Sequence, residues 1–473
     1  MKKRIGFILL GILLATINGY PEGKVRIACV GNSITYGARI ENREANSYPA
    51  QLASMLGDGY DVRNFGRSGA TLLRKGDLPY WDTDEYKSAL AFNPDLVFIK
   101  LGTNDTKPQN RFYLDDEYIS DYKDLIASFK KLPSSPRVVL FVSVPVFSTD
   151  TTGIASVALI KKIIPMVGQI AYETGCEVVN LYNLLVESPG LLPDKVHPNA
   201  EGAGIIAKRA AEFVKMKTVP ALGLPEALPQ EAQLFNFYGF QGYDFTFKGK
   251  NGKVVVPKKS APGHPWIWRA RFWGHEPQTD IALLERGFHV VYCDVAELFG
   301  NDEALSIWDS FYQMLVSAGL SKKSVMEGMS RGGLYIYRWA ATYPDRVAGI
   351  YADAPVLDLK SWPGGKISDK GSLKDWETFK KNFNLKTEEE ALAFKGNPID
   401  LADKIARAGF PMLHVVGDAD DVVPVAENTA IFEQKIKAAG GFIQVIHKPG
   451  VGHHPHSLPN PQPIVDFVLM ATK

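Results

Sequence analysis

Two serines stand where an apolar run breaks into small residues. Ser33 closes the run Val25-Arg26-Ile27-Ala28-Cys29-Val30-Gly31-Asn32-Ser33. Ser330 follows Ser324-Val325-Met326-Glu327-Gly328-Met329 and precedes Arg331-Gly332-Gly333. A serine hydroxyl attacks a carbonyl only if a base takes its proton and donors hold the resulting oxyanion. Candidates for Ser33 lie further along the first half. Asp194-Lys195-Val196-His197 puts a carboxylate three residues before an imidazole, close enough to orient the ring so that it can take the serine proton. The N–H of Gly69, in Asn64-Phe65-Gly66-Arg67-Ser68-Gly69, and the amide of Asn104, in Gly102-Thr103-Asn104-Asp105, can donate to the oxyanion. Taken singly, Gly69 reads as a turn glycine, Asn104 as a turn residue, and Asp194 and His197 as helix caps. Their weight comes from occurring together, in this order.

A sheet must gather these residues. Apolar and amphipathic runs alternate through the first half, an α/β pattern. Strands are predicted at Val25–Val30, Tyr60–Asn64, Leu96–Leu101, Val138–Val142 and Glu177–Leu181. Helices are predicted at Tyr48–Met55, Asp116–Lys131, Ser156–Glu173 and Gly202–Lys215. Each candidate residue then falls at a strand's carboxyl end, where parallel sheets collect ligands. In the second half, Tyr243–Phe247 and Gly252–Val256 read as a hairpin. Strands are expected at Trp266–Phe272, Phe288–Cys293, Met412–Val416 and Ile443–His447. Gly328-Met329-Ser330-Arg331-Gly332 lies between a short strand and the helical run Leu334–Tyr343, the context in which small flanking residues permit a strained, exposed serine.

The chain has 473 residues, 45% of them apolar, which calls for two domains with real cores. Its 53 basic and 52 acidic side chains give no electrostatic case for nucleic acid. Cys29, Cys176 and Cys293 fit neither a disulfide framework nor zinc spacing and read as buried thiols. Met1-Lys2-Lys3-Arg4 followed by the apolar run Ile5–Ile17 reads as a secretory signal over residues 1–19. A secreted or periplasmic bacterial protein, without a stable membrane span after cleavage, is expected. A first domain is placed at 24–217, a proline-bearing linker at 218–234 and an unlike second domain at 235–473.

With these motifs in hand, the first domain resembles the SGNH (GDSL-type) hydrolases. The matching stretches are Gly31-Asn32-Ser33-Ile34-Thr35, Asn64 to Gly69, Gly102 to Asp105 and Asp194 to His197. The resemblance implies Ser33 as nucleophile, His197 as base and Asp194 as its orienting acid. It implies an oxyanion hole from Gly69, Asn104 and the N–H of Ser33. Asn32 stands where the usual motif has aspartate, which bears on the hydrogen bonding of the serine turn. The second domain resembles the α/β-hydrolase superfamily, near its esterase and prolyl-oligopeptidase-like branches. Gly417-Asp418-Ala419-Asp420-Asp421-Val422-Val423-Pro424 implies Asp420 as the acid, with Asp418 and Asp421 as alternatives. Gly450-Val451-Gly452-His453 implies His453 as base. The N–H of Arg331 is one expected oxyanion donor, and the loop after Trp266–Phe272, at Trp273, is expected to supply the other.

The expected fold class is therefore α/β: two three-layer α/β/α domains, a flavodoxin-like parallel sheet followed by an α/β-hydrolase fold. His453, His454 and His456 can also coordinate zinc. The serine and acid standing in order favour the triad, so neither a metal nor another cofactor is expected. Tyr36, Arg39, Arg67, Tyr80 and Trp81 are candidates to line a sugar site, or are ordinary loop residues. Among the tryptophans, Trp266 and Trp268 alternate as core residues do. Trp362, in a Pro-Gly-Gly loop opening a cap insertion that runs to Pro398, is the candidate for substrate contact. The function expected is an exported bifunctional serine esterase removing acetyl and other acyl or methyl esters from polysaccharides such as xylan or pectin. The alternatives are a sialate O-acetylesterase, or one esterase domain beside a peptidase or glycan-binding domain.

Overall fold

The apolar runs of the first half form one parallel sheet of β1 (Val25–Gly31), β2 (Tyr60–Gly66), β3 (Leu96–Lys100), β4 (Arg137–Val142) and β5 (Glu177–Asn180). The order is β2-β1-β3-β4-β5. The computed structural model describes residues 23–149 and 153–473, so the expected signal segment lies outside the described residues. Side chains alternate between two cores. Ile27, Cys29, Phe98 and Phe141 meet the helices Tyr48–Leu56 and Ala200–Lys215. Ala28, Val30, Val97 and Ile99 face Leu114–Lys130 and Ile164–Thr174. Burial on both faces is why these strands read as continuous apolar runs. The helix expected at Ser156–Glu173 is interrupted. Pro165 has no N–H to give the preceding turn, which widens into a π-helical segment at Leu159–Ile163.

The second half builds nine strands: β6 (Gln233–Phe237), β7 (Phe240–Phe247), β8 (Lys250–Val256), β9 (Trp266–Arg269), β10 (His289–Cys293), β11 (Ser324–Met329), β12 (Val347–Asp353), β13 (Met412–Gly417) and β14 (Ile443–Lys448). They run in the order β14-β13-β12-β11-β9-β10-β8-β7-β6. The strands from β14 to β10 are parallel, and β8, β7 and β6 add an antiparallel edge. In both sheets the chain reverses its direction of progress beside the serine strand, between β1 and β3 and between β9 and β11. Each serine thus sits at a topological switch point.

The structure differs from expectation around the connection. β6 begins inside the segment expected as linker and joins β7 through Tyr238-Gly239, both left-handed as a tight hairpin requires. Val219 pairs with Ser260, and Leu224 and Leu228 are buried in the second core. The halves also share buried charge. Glu285, its side chain 3% exposed, accepts from Arg209 of the helix Ala200–Lys215 at 2.9 Å and from the N–H of Asn180 at 2.7 Å. Arg286 pairs with Glu212 of the same helix. Burial pushes the Glu285 carboxyl above its ordinary range, with Arg209 and Arg286 countering. All three cysteines are free and buried. No helix among the described residues is long and apolar enough to cross a membrane.

Candidate active sites

At the end of β1 the backbone crowds so closely that a Cβ on Gly31 would lie 2.1 Å from Thr35 Oγ1 and 2.7 Å from the carbonyl of Lys100. Asn32 caps the short helix Ser33–Tyr36, its Oδ1 accepting from the Ile34 N–H at 3.2 Å. Ser33 is thereby the first residue of a regular turn. Its Oγ lies 2.8 Å from His197 Nε2, and His197 Nδ1 lies 2.7 Å from Asp194 Oδ2. Asp194 Oδ1 accepts the N–H groups of Val196 at 3.0 Å and His197 at 2.7 Å, so the acid folds the loop that carries its own histidine. Partial burial pushes the Asp194 carboxyl up. The N–H and ring of His197 and the N–H of Val196 prevail and hold it below its ordinary value.

The two expected oxyanion residues, Gly69 and Asn104, stand on adjoining loops. Gly69 has φ 85°, in a loop fixed by Asp105, which accepts from the N–H groups of Leu72 and Leu73 at 2.8 to 3.1 Å. Asn104 donates one amide hydrogen to the Ala70 carbonyl at 2.9 Å. Asn64 clamps the serine turn, its Nδ2 donating to the Thr35 carbonyl at 2.9 Å. Beneath the turn lies Lys100, fully buried, with Nζ 2.6 Å from Thr103 Oγ1 and 3.4 Å from Asn32 Oδ1. Burial pushes its ammonium down to about 7, while Asp105 counters. Nothing in the sequence reading singled out Lys100. Its only signal was a lysine interrupting an apolar strand.

At the second site Ser330 has φ 49°, the left-handed region. Gly328 is required by close approach, since a Cβ there would lie 2.8 Å from the backbone carbonyl of Gly332. Ser330 Oγ is 3.0 Å from His453 Nε2, and His453 Nδ1 is 2.7 Å from Asp420 Oδ2. Asp420 Oδ1 accepts the N–H groups of Val422 at 2.9 Å and Val423 at 2.8 Å. The other two aspartates of the loop are engaged elsewhere: Asp418 with His447 at 2.7 Å, Asp421 with Lys370. Arg331 pairs with Asp375 at 3.2 Å and lies 4.9 Å above the half-buried Trp362 ring, so this tryptophan stands beside the elbow. β9 ends at Arg269, earlier than expected, and the Trp273 ring packs against Phe237 and Tyr292. Ala270 and Arg271 are the loop residues against Gly332, and the Ala270 N–H is taken by the Glu327 carbonyl at 2.9 Å. Under the elbow, Arg269 is buried with Asp280 at 2.6 Å and Glu327 at 3.0 Å.

Other candidates separate. Tyr80 does not line a sugar site. It is fully buried, its hydroxyl donating to the Phe65 carbonyl at 2.7 Å, because the loop after β2 folds over it. Arg39 is exposed and pairs with Asp194 at 3.0 Å. Arg67 pairs with Glu85, and Tyr36 and Trp81 lie under Arg43 and Arg74. Trp266, Trp268 and Trp376 are buried. His453 belongs to the Ser330 site, whereas His456 donates from Nδ1 to Asp353 at 2.7 Å.

Two protein families match separate segments of the chain. Residues 29–205 match the GDSL-like lipase/acylhydrolase family, and residues 311–467 match the prolyl oligopeptidase family. An acetylxylan esterase of Xylanibacter ruminicola is 37% identical over 224 residues, covering 44% of this chain and 46% of that protein. The match thus spans less than half the relative's own length. Among solved structures, the acylaminoacyl peptidase of Pyrococcus horikoshii aligns at 16% identity and TM-score 0.38, over 54% of this chain and 42% of that one. The S-formylglutathione hydrolase of Agrobacterium tumefaciens aligns at 15% identity and TM-score 0.36, over 50% and 94%. The chain therefore joins a GDSL-like lipase/acylhydrolase domain at its N-terminal end to an α/β-hydrolase domain of the prolyl oligopeptidase family.

Proposed function

We propose that the protein is an exported carboxylic ester hydrolase with two independent serine sites, acting on O-acetylated plant polysaccharides such as xylan or pectin. The observation that carries the reading is the pair of hydrogen-bonded chains, Ser33–His197–Asp194 and Ser330–His453–Asp420, each with both links at 3.0 Å or less. In each, the serine oxygen attacks the ester carbonyl as the histidine Nε2 takes its proton. The imidazolium, steadied by its aspartate, then protonates the departing sugar oxygen. Water, deprotonated by the same nitrogen, attacks the acyl-serine, and the carboxylic acid leaves as the serine recovers its proton. The N–H groups of Ser33 and Gly69 and the free amide hydrogen of Asn104 serve the oxyanion at the first site. The N–H groups of Arg331 and Arg271 serve it at the second. Trp362 offers a sugar face at the second site. The similarity to an acetylxylan esterase supports the polysaccharide substrate. The match of the second domain to the prolyl oligopeptidase family favours one other reading, peptide hydrolysis at Ser330.

The test is acid and alcohol release from native acetylated xylan and pectin by the wild type, Ser33→Ala, Ser330→Ala and the double variant, with peptide anilides in parallel. Each single variant is expected to lose a different product, by a factor of about 10³ or more, while the double variant loses both. If one substitution abolishes all release and the other changes nothing, the two-site reading is wrong. Cleavage of peptides but no ester by Ser33→Ala would reassign the second domain.

A further inference from the structure

His275, His454 and His456 converge beside the Ser330 site, each offering a ring nitrogen within 4.8 Å of the others. Their rings lie 4.7 to 5.8 Å apart, centroid to centroid, and nearly perpendicular to one another. His456 is buried and held from behind. Its Nδ1 donates to Asp353 Oδ1 at 2.7 Å, and the other Asp353 oxygen accepts from the Tyr351 hydroxyl at 2.9 Å and the Ser457 N–H at 2.8 Å. In the neutral ring that bond fixes the tautomer, so the lone pair lies on Nε2, on the side away from the carboxylate. Such carboxylate–histidine pairs are the usual support behind a metal-ligating imidazole. His275 is placed from another part of the chain: its carbonyl accepts from the guanidinium of the buried Arg269. The His275 and His454 side chains are exposed, and among the described residues neither ring makes a hydrogen bond to protein. Neutral imidazoles are borderline ligands suited to zinc and its neighbours, and three of them leave a coordination position open.

We propose that His275, His454 and His456 form a binding site for a divalent transition-metal ion, best matched to Zn²⁺, with Asp353 as its supporting carboxylate. The fourth position faces solvent and takes water or an oxygen ligand. The Ser330–His453–Asp420 chain needs no metal, so this site is additional to it. His453 is not a ligand, because its Nε2 and Nδ1 face Ser330 and Asp420. Binding draws the two exposed rings toward the fixed one, since the nitrogens of a tetrahedral site stand closer together than they do here.

The experiment is titration of the untagged, metal-stripped full chain with Zn²⁺ by calorimetry, and with Co²⁺ by visible absorption. A single equivalent of Zn²⁺ is expected to bind, with Co²⁺ developing the intense visible bands of a low-coordinate nitrogen site. His275→Gln and His454→Gln are both surface changes that leave the fold intact. Each should weaken binding by at least about tenfold, and Asp353→Asn by about 10- to 100-fold. His453→Gln should bind as the wild type does. The proposal fails if the His275→Gln, His454→Gln double variant binds Zn²⁺ as tightly as the wild type. It fails equally if the wild type binds none, or if His453→Gln alone abolishes binding.

Discussion

Ser33 and Ser330 differ in what the backbone must do to present them. Ser33 begins a regular helical turn with an asparagine cap before it, and its acid and base come from one loop, three residues apart. Ser330 is held at φ 49°, and its acid and base lie on separate loops, after β13 and after β14. Yet the acids are built alike. In each, Oδ1 accepts the N–H groups two and three residues on, and Oδ2 meets the imidazole at 2.7 Å. At the first site the residue three on is the base itself, so local chain geometry assembles the acid–base pair. At the second, only the packed sheet does. The second pair is correspondingly drier: side-chain exposure is 18% and 17% for Asp194 and His197, but 1% and 9% for Asp420 and His453. The same hydrogen-bonded unit is thus reached once by local encoding and once by tertiary structure.

The largest effect tests whether the shared unit behaves alike in both settings. In Asp194→Asn and Asp420→Asn, the two backbone N–H groups keep the amide oxygen, so the NH₂ must face Nδ1. The imidazole is then driven to the tautomer that points a proton at the serine. Each substitution should lower kcat at its own site by about 10³–10⁴ and leave the other site unchanged. Steady-state rates with an acetate ester, measured in the Ser330→Ala and Ser33→Ala backgrounds respectively, check it. A small loss at either site would mean that its acid is not held as described.

A second difference lies beneath the serines. Both turns rest on a buried cation, but Arg269 has two carboxylates hydrogen-bonded to it, while Lys100 hydrogen-bonds to Thr103 and Asn32 and meets the Asp105 carboxylate only through its longer-range charge. The Lys100 ammonium is accordingly pushed down to about 7 by burial, and Arg269, drawn on by Glu327 and Asp280 against its own burial, is not lowered. Below pH 7 folded and unfolded chains both carry the Lys100 proton, and its burial cost is felt in full. Between pH 7 and the unfolded value near 10.4, the folded chain has released it and the unfolded chain has not, so stability rises with pH. The first domain should gain about 2 kcal/mol between pH 7 and pH 9 relative to Lys100→Met, which lacks the titration. Denaturant unfolding followed by a first-domain probe at the two pH values measures it. Parallel curves for wild type and variant would remove the contrast with Arg269.

How much of this was legible follows from how local each signal is. Asp-x-x-His and the glycine before Ser33 report geometry within a few residues, and so does Gly-x-Ser-x-Gly. The parallel order of the first sheet follows from runs buried on both faces. The choice of Asp420 over Asp418 and Asp421 rested on resemblance alone, because three acids in one loop differ only in what the fold sets against them. β6 and β12 were missed. The first is a short edge strand, mostly exposed and without a clear alternation, and the second carries an internal glycine, Gly349, that weakens its pattern. Tyr80 looked like a surface aromatic because nothing local marks the loop that covers it. His275 lies far from His456 in sequence, so only the fold could show them together.

The smallest effect has opposite signs at the two serines. Ser330 occupies a left-handed conformation that costs a side chain about 1 kcal/mol and glycine almost nothing. Ser330→Gly relieves that cost and should raise stability by about 0.5–1 kcal/mol, measured against Ser330→Ala, which keeps the Cβ and loses the same hydroxyl. Ser33 sits in a right-handed turn whose own end is marked by the left-handed Gly37. There glycine only loosens the unfolded chain and the helix start, so Ser33→Gly should lower stability by about 0.5–1 kcal/mol against Ser33→Ala. Because the hydroxyl is absent from all four variants, the comparison isolates the backbone. Thermal unfolding of the four proteins, with a probe in each domain, gives the two differences. If both carry the same sign, the strain at Ser330 is offset by its surroundings, and the two serines are presented at equal cost.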